Sequence, residues 1–176
     1  MSTWKIDPSH SDVQFKIKHL MISTVTGEFT DFDATLECDG DGEDFNGGKV
    51  TFTANIASIT TKNEQRDGHL KSGDFFDAEK YPELTFRSTS LDLSGGEVVL
   101  KGDLTIKDTT KPITLKGDFG GVIVDGYGQT KAGFEVEGKI NRMDYGLTWS
   151  AVTEAGGVVV SDDVRLLLNV QFVKQA

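Results

Sequence analysis

VVLKGDLTIKDTTKPITLKGDF, residues 98 to 119, decides the fold class. Val98, Leu100, Gly102, Leu104 and Ile106 share one phase, and the residues between them are mostly polar. That period of two belongs to a half-buried strand, whose successive side chains point to opposite faces. Lys107 to Pro112 turns the chain, and Ile113, Leu115, Gly117 and Phe119 resume the alternation. Two such runs joined by a short polar turn form an antiparallel hairpin.

The same pattern continues outward in both directions. Toward the C-terminus, Asp125-Gly126-Tyr127-Gly128 turns into Ala132, Phe134, Val136, Gly138 and Ile140. An irregular piece from Asn141 to Gly146, with a helical turn expected near Met143, precedes Val164, Leu166, Leu168, Val170 and Phe172. Toward the N-terminus, Ser94-Gly95-Gly96 is a hairpin turn behind a strand over Leu84 to Leu93. Earlier strands carry Val50, Phe52, Ala54 and Ile56, then Thr24 to Glu37, then Val13, Phe15 and Ile17. In the Thr24 strand the apolar phase changes between Phe29 and Phe32, which predicts a bulge or bend near Thr30-Asp31. The count is eight strands, and the fold class is all-β. A closed eight-stranded antiparallel barrel is favoured over an open sheet, because closure removes long exposed edges. Gly102, Gly117 and Gly138 would ease the bends that a small barrel requires.

One segment, SITTKNEQRDGHLKSGDFFDAEKYPELTFRS at 58 to 88, breaks the alternation. Thr61-Lys62-Asn63-Glu64 has the form of a capping box, so a short helix is expected to follow and to stop near Gly73. On it Arg66, His69 and Leu70 share a face, and Asp67 lies four residues before Lys71. Phe75 and Phe76 supply an apolar plug, and Asp77 to Lys80 reads as one more turn before Tyr81-Pro82. The expected element is a helical lid carrying a cation, an imidazole and aromatic anchors.

At 176 residues the chain is read as a single domain, 1–176. A formal net charge of -10 argues against a nucleic-acid backbone as partner. No run approaches the roughly 20 apolar residues of a membrane-spanning helix, so no membrane insertion is expected. Met1 to Lys5 carries no signal-peptide core. Together with the lone Cys38, this places the chain in the cytoplasm as written, or in the periplasm if its start has been trimmed. Asp39 to Asp44 reads as an acidic solvated turn, since it lacks the closing glutamate of a calcium loop.

Chemistry-bearing patterns are sparse. There is no G-x-S-x-G elbow, P-loop or dinucleotide fingerprint. Cys38 lies among acids, which disfavour a thiolate, and is expected to be neither catalytic nor structural. His10, His19 and His69 lack metal-ligand spacing, and no metal or cofactor is expected. Phe is the dominant aromatic, 11 residues against 2 Trp and 3 Tyr. Phe15, Phe29, Phe32, Phe52, Phe86, Phe119, Phe134 and Phe172 all fall in expected strands. They either fill the barrel or wall an apolar cavity; composition alone favours filling.

Several stretches together resemble the YceI-like family of lipocalin-like, polyisoprenoid-binding proteins. They include Trp4-Lys5-Ile6-Asp7 with His10-Ser11, Val25-Thr26-Gly27-Glu28-Phe29, and Ser58-Ile59-Thr60-Thr61. The most specific is Arg66-Asp67-Gly68-His69-Leu70 followed by Asp74-Phe75-Phe76-Asp77. Gly102 to Ile106, Thr110-Lys111-Pro112 and Asn141 to Gly146 extend the resemblance to essentially the whole chain. The resemblance implies a lipocalin-like barrel with a long apolar cavity for an isoprenoid or similar amphiphile. Phe15, Ile17, Phe29, Phe52, Phe86, Leu104, Phe119, Phe134 and Phe172 then become the expected wall. Arg66, His69 and Arg142 become expected head-group contacts, with Leu70, Phe75 and Phe76 as lid anchors. The expected partner is a hydrophobic small-molecule ligand, and the sequence leaves a homodimer open. The alternatives are a fatty acid, fatty amide or isoprenoid quinone, or an enzyme acting on such a lipid with His69 as acid or base.

Overall fold

The computed structural model describes residues 1–20, 22–40, 44–148 and 160–176. Eleven strands form one antiparallel sheet: β1 (Ser2–Ile6), β2 (Asp12–His19), β3 (Ser23–Phe29), β4 (Phe32–Cys38), β5 (Lys49–Asn55), β6 (Ile59–Thr60), β7 (Glu83–Ser94), β8 (Glu97–Ile106), β9 (Thr109–Val124), β10 (Thr130–Asn141) and β11 (Val160–Lys174). The sheet runs β1-β4-β5-β7-β8-β9-β10-β11 and closes by pairing β11 with β1, Trp4 opposite Lys174. β2, β3 and β6 continue the same wall beyond β11, with Leu166 opposite Phe15, Phe15 opposite Gly27 and Phe29 opposite Ile59. Each is the prolongation of a neighbour: β1 runs into β2, β3 into β4 and β5 into β6. Counted as staves, the barrel has the eight that the alternation predicts.

Three adjacent staves break at one level. Asp7 to Ser11, Thr30-Asp31 and Ile56 to Ser58 interrupt them, the first and last as single 3-10 turns. The breaks are sewn to neighbouring staves rather than left open. Gln171 bonds the Asp7 N–H at 2.8 Å and the Ser11 hydroxyl at 3.0 Å, and the Asn55 N–H reaches the Asp31 carbonyl at 2.9 Å. The bend read at Thr30-Asp31 is therefore one part of a fold line across the wall.

Several details differ from the sequence reading. β1 is a further strand, with Ser2, Trp4 and Ile6 buried. The β8–β9 turn is only Lys107-Asp108, Lys107 taking the left-handed conformation at φ 58°, and Pro112 already pairs in β9 opposite Asp103. At the β7–β8 turn Gly95 and Gly96 both have positive φ, as a two-residue hairpin of the favoured twist demands.

The base of the barrel is closed by aromatic side chains. Phe45, 1% exposed, stands edge-on to Trp4, Phe119 and Phe134 at 5.1, 5.6 and 5.5 Å between ring centres. It enters just after the acidic turn read at Asp39 to Asp44, of which Asp39, Gly40 and Asp44 are exposed and residues 41–43 lie outside the described residues. Asn46 Oδ1 accepts from the Leu93 N–H at 2.6 Å, and Gly47 donates to the Leu91 carbonyl at 2.9 Å, anchoring this segment to β7. Cys38 is 2% exposed at the end of β4. Burial raises its pKa above the ordinary thiol value, Asp44 and Asp39 add to the rise, and a hydrogen bond with Ser2 opposes it. Burial also corrects the reading of Cys38 as structurally idle. Cys38→Ser should cost about 1 to 3 kcal/mol by desolvating a hydroxyl there. Denaturant unfolding checks this, and no loss would mean that Ser2 satisfies the new hydroxyl in full.

Candidate functional site

Above the base the barrel is not filled. A cavity of about 530 Å³ runs up its axis, within the 300 to 1,000 Å³ typical of small-molecule sites. Nearly every strand contributes to its wall, including Phe15 and Ile17 of β2, Phe29 of β3, Phe52 of β5, Phe86 of β7, Leu104 of β8, Phe134 of β10 and Phe172 of β11. Phe119 does not line it. That ring stacks on Phe134 at 5.1 Å and belongs to the base. The wall also takes in aliphatic residues such as Leu36, Val98, Leu115 and Leu168, which the emphasis on Phe had passed over. Period-two phase was the signal that could have found them.

One wall position depends on having no side chain. The far end of the Phe15 ring occupies the space over Gly27, its cross-strand partner, where a Cβ would overlap it. Phe29 meets Phe15 at 5.9 Å and the lid's Phe76 at 6.3 Å, so an aromatic row leads from the wall to the lid.

The lid helix α1 spans Glu64–Lys71, and its cap is Asn63, whose side-chain oxygen accepts from the Arg66 N–H at 3.1 Å. Thr61 does not cap it. The Thr61 hydroxyl and N–H both donate to Asp67 Oδ1, at 2.6 and 2.8 Å, so Asp67 is held by Thr61 in place of the expected pairing with Lys71. The helix ends at Ser72 in extended conformation, and the left-handed residue that follows is Asp77, not Gly73. Phe76 and Ala78 return their N–H groups to the Leu70 and Lys71 carbonyls at 3.0 and 2.9 Å, which satisfies the end of the helix and folds the plug beneath it.

Arg66, His69, Leu70, Phe75 and Phe76 all line the cavity, together with Asn63 and Gln65. The Arg66 Nε donates to the Thr61 hydroxyl at 2.7 Å and Nη2 to the Thr61 carbonyl at 3.0 Å, leaving Nη1 without a partner among the described residues. His69 Nε2 lies 2.9 Å from Asp74 Oδ2, and its ring meets buried Phe75 edge-on at 5.1 Å. Lys18 and His19 of β2 also reach the cavity; sequence reasoning did not single them out as site residues.

Arg142 borders the same cavity, yet it is 2% exposed. Its Nε, Nη1 and Nη2 donate to the carbonyls of Ser161, Leu147 and Val160 at 2.9, 2.5 and 3.3 Å. Burial lowers its pKa from the usual arginine value, and Asp162 at 3.7 Å opposes that shift. Among the described lining residues the ionisable side chains are Lys18, His19, Arg66, His69 and Arg142, with no carboxylate. In a chain with 28 Asp and Glu this is a marked local reversal of sign. Two of these groups have carboxylates close behind the lining, His69 with Asp74 at 2.9 Å and Arg142 with Asp162 at 3.7 Å.

Comparison with known proteins agrees with this geometry. Residues 4–172 match the YceI-like domain. A UPF0312 protein of Staphylococcus aureus (strain MSSA476) is 42% identical over 173 residues, 98% of either chain. The crystal structure of the Campylobacter jejuni YCEI protein is 36% identical, with a TM-score of 0.75 over 90% of either chain. Burkholderia cenocepacia BcnA, at 21% identity, shares the fold with a TM-score of 0.79 over 94% of this chain and 98% of its own. By the extent and identity of these matches, the chain belongs to the YceI-like family.

Proposed function

We propose that the barrel binds a long-chain amphiphilic lipid of the polyisoprenoid kind, tail in the cavity and anionic head at the lid, and carries it without chemical change. The observation that carries this reading is the cavity itself: an apolar wall with cations and neutral polar groups at one end and no carboxylate among its described lining residues. Burial of the tail supplies roughly 25 cal/mol per Å² before the costs of association. A polyisoprenoid binding domain from Saccharophagus degradans has the same fold, with a TM-score of 0.69 at 16% identity over 98% of either chain, and its name supports the choice of ligand class by analogy. A fatty acid, fatty amide or isoprenoid quinone has a comparable tail, so the ligand must be identified directly. Mass spectrometry of organic extracts of the purified protein should find a prenyl lipid. Extracts free of lipid, with no displacement of a fluorescent lipid probe by prenyl phosphate, would sink the proposal.

Arg66 divides its donors between Thr61 and a free Nη1, so Arg66→Ala has two expected effects. Losing the bonds to Thr61 should lower stability by about 1 to 2 kcal/mol and weaken every ligand somewhat through the lid. Losing the charge should weaken an anionic lipid by about ten-fold more than a neutral lipid with the same tail. The ratio of the two affinities, measured by probe displacement, isolates the second effect. An unchanged ratio would assign Arg66 to pinning the lid alone.

A further inference from the structure

The tip of the β2–β3 hairpin stands beside the cavity mouth and exposes apolar side chains that no other part of the described structure covers. Ile22 is 82% exposed and Leu20 38% exposed, with Leu20 in the left-handed conformation at φ 53°. The strands beneath them are unusual for this chain. Residues 13 to 27 contain no Asp or Glu but carry Lys16, Lys18 and His19, whereas the whole protein has net charge -10. Ile17, Lys18, His19 and Val25, just below the tip, line the cavity. An apolar tip and a basic stem therefore adjoin an opening to an apolar interior, and on the neighbouring β11 the carboxylates of Asp162 and Asp163 face Arg142 and Lys139 at 3.7 and 3.5 Å.

We propose that this hairpin is the docking element by which the protein touches an anionic lipid bilayer: Ile22 and Leu20 enter the interfacial region while Lys16 and Lys18 meet the head groups. Apolar side chains set above lysines are the combination that holds peripheral proteins at such surfaces, and each lysine near an anionic surface contributes measurably. A second copy of this chain fits the hairpin poorly. Two side chains offer far less than the roughly 800 Å² per partner of a stable protein interface, and a second basic stem would repel the first. A bilayer imposes no such area requirement. The inference extends the lipid-carrier reading, since a docked hairpin aligns the mouth with the membrane, but vesicle binding is measured without reference to cargo, so either can fail alone.

The experiment is co-sedimentation of the full chain with vesicles of equal parts phosphatidylcholine and phosphatidylglycerol, and with phosphatidylcholine alone. Binding should require the anionic lipid and weaken as salt is raised. Ile22→Asp should weaken it by about ten-fold or more, and Lys16→Gln by a few-fold. Ile22→Trp should strengthen it, because indole favours the interface. Ile22 is so exposed that none of its variants should alter the melting temperature or displacement of a soluble lipid probe. The proposal is overturned if the wild type fails to bind anionic vesicles, if Ile22→Asp and Ile22→Trp bind as the wild type does, or if light scattering shows that Ile22→Asp acts by dissociating a dimer.

Discussion

Replacing Arg142 with alanine should destabilise the protein by about 3 to 5 kcal/mol, the range expected when one partner of a buried, fully bonded charge is removed. Its guanidinium ties the helical turn after β10 to the start of β11 through three backbone carbonyls: Leu147 on one side, Ser161 and Val160 on the other. Alanine leaves those oxygens without donors in a region where the side chain itself is 2% exposed. For a chain of this size each kcal/mol moves the melting temperature by roughly 2 to 4 °C, so the midpoint should fall by about 10 °C. Arg142→Lys should recover little of this. An ammonium keeps the charge but cannot span three acceptors that a planar fork reaches at once. Thermal melting followed by circular dichroism is the measurement. A midpoint within about 2 °C of wild type, with anionic-lipid affinity lost, would move Arg142 from the scaffold to the head-group site.

Phe45→Ala should rank beside it, at about 3 to 5 kcal/mol. Phe45 is the hub of the base: three edge-on ring contacts, to Trp4, Phe119 and Phe134, converge on one side chain. Each such pair adds about 0.5 to 1.5 kcal/mol beyond simple burial. Phe134, one of these three rings, lines the cavity, so loss of the ring behind it should let the variant accept longer tails than the wild type. Phe45→Leu keeps most of the volume and should cost less than half as much. The check is urea unfolding of both variants with tail-length competition. A loss below about 1 kcal/mol for Phe45→Ala would mean that the neighbouring rings collapse into the space.

Phe45 also marks where the sequence stopped being informative. The strands were legible because one face of each is buried, and burial leaves a period of two; the phase change at Phe29 to Phe32 even located the fold line at Thr30-Asp31. β1 escaped because Ser2-Thr3-Trp4-Lys5-Ile6 presents only two large apolar residues, too few to establish a period. Phe45 escaped because its neighbours Asp44 and Asn46 are polar and their own bonds hold the loop in place, a tertiary effect with no periodic trace. At the lid the local S/T-x-x-E pattern pointed to Thr61, but Asp67, six residues on, captured its hydroxyl and left Asn63 as cap. Arg142 shows a similar limit. Arginine next to an apolar strand suggests a ligand contact or an ion pair, and only the fold brings the carbonyl of Ser161, from β11, to it beside that of the nearby Leu147.

Ring closure between β1 and β11 has a kinetic consequence. The pairs that complete the barrel, such as Trp4 with Lys174 and Lys5 with Val173, join the two most distant segments of the sheet in sequence. β2 pairs with β11 in the same late seam, and apart from β1 with β4 the remaining neighbour pairs join strands closer in sequence, so hairpins can zip early. Loop-closure entropy puts the last seam late and places folding in the milliseconds-to-seconds class of non-local β topologies. Until that seam forms, two unpaired edges and an unroofed apolar trough face solvent together. The same trough that suits a lipid once the ring is shut is, for that interval, the segment of the molecule most exposed to aggregation.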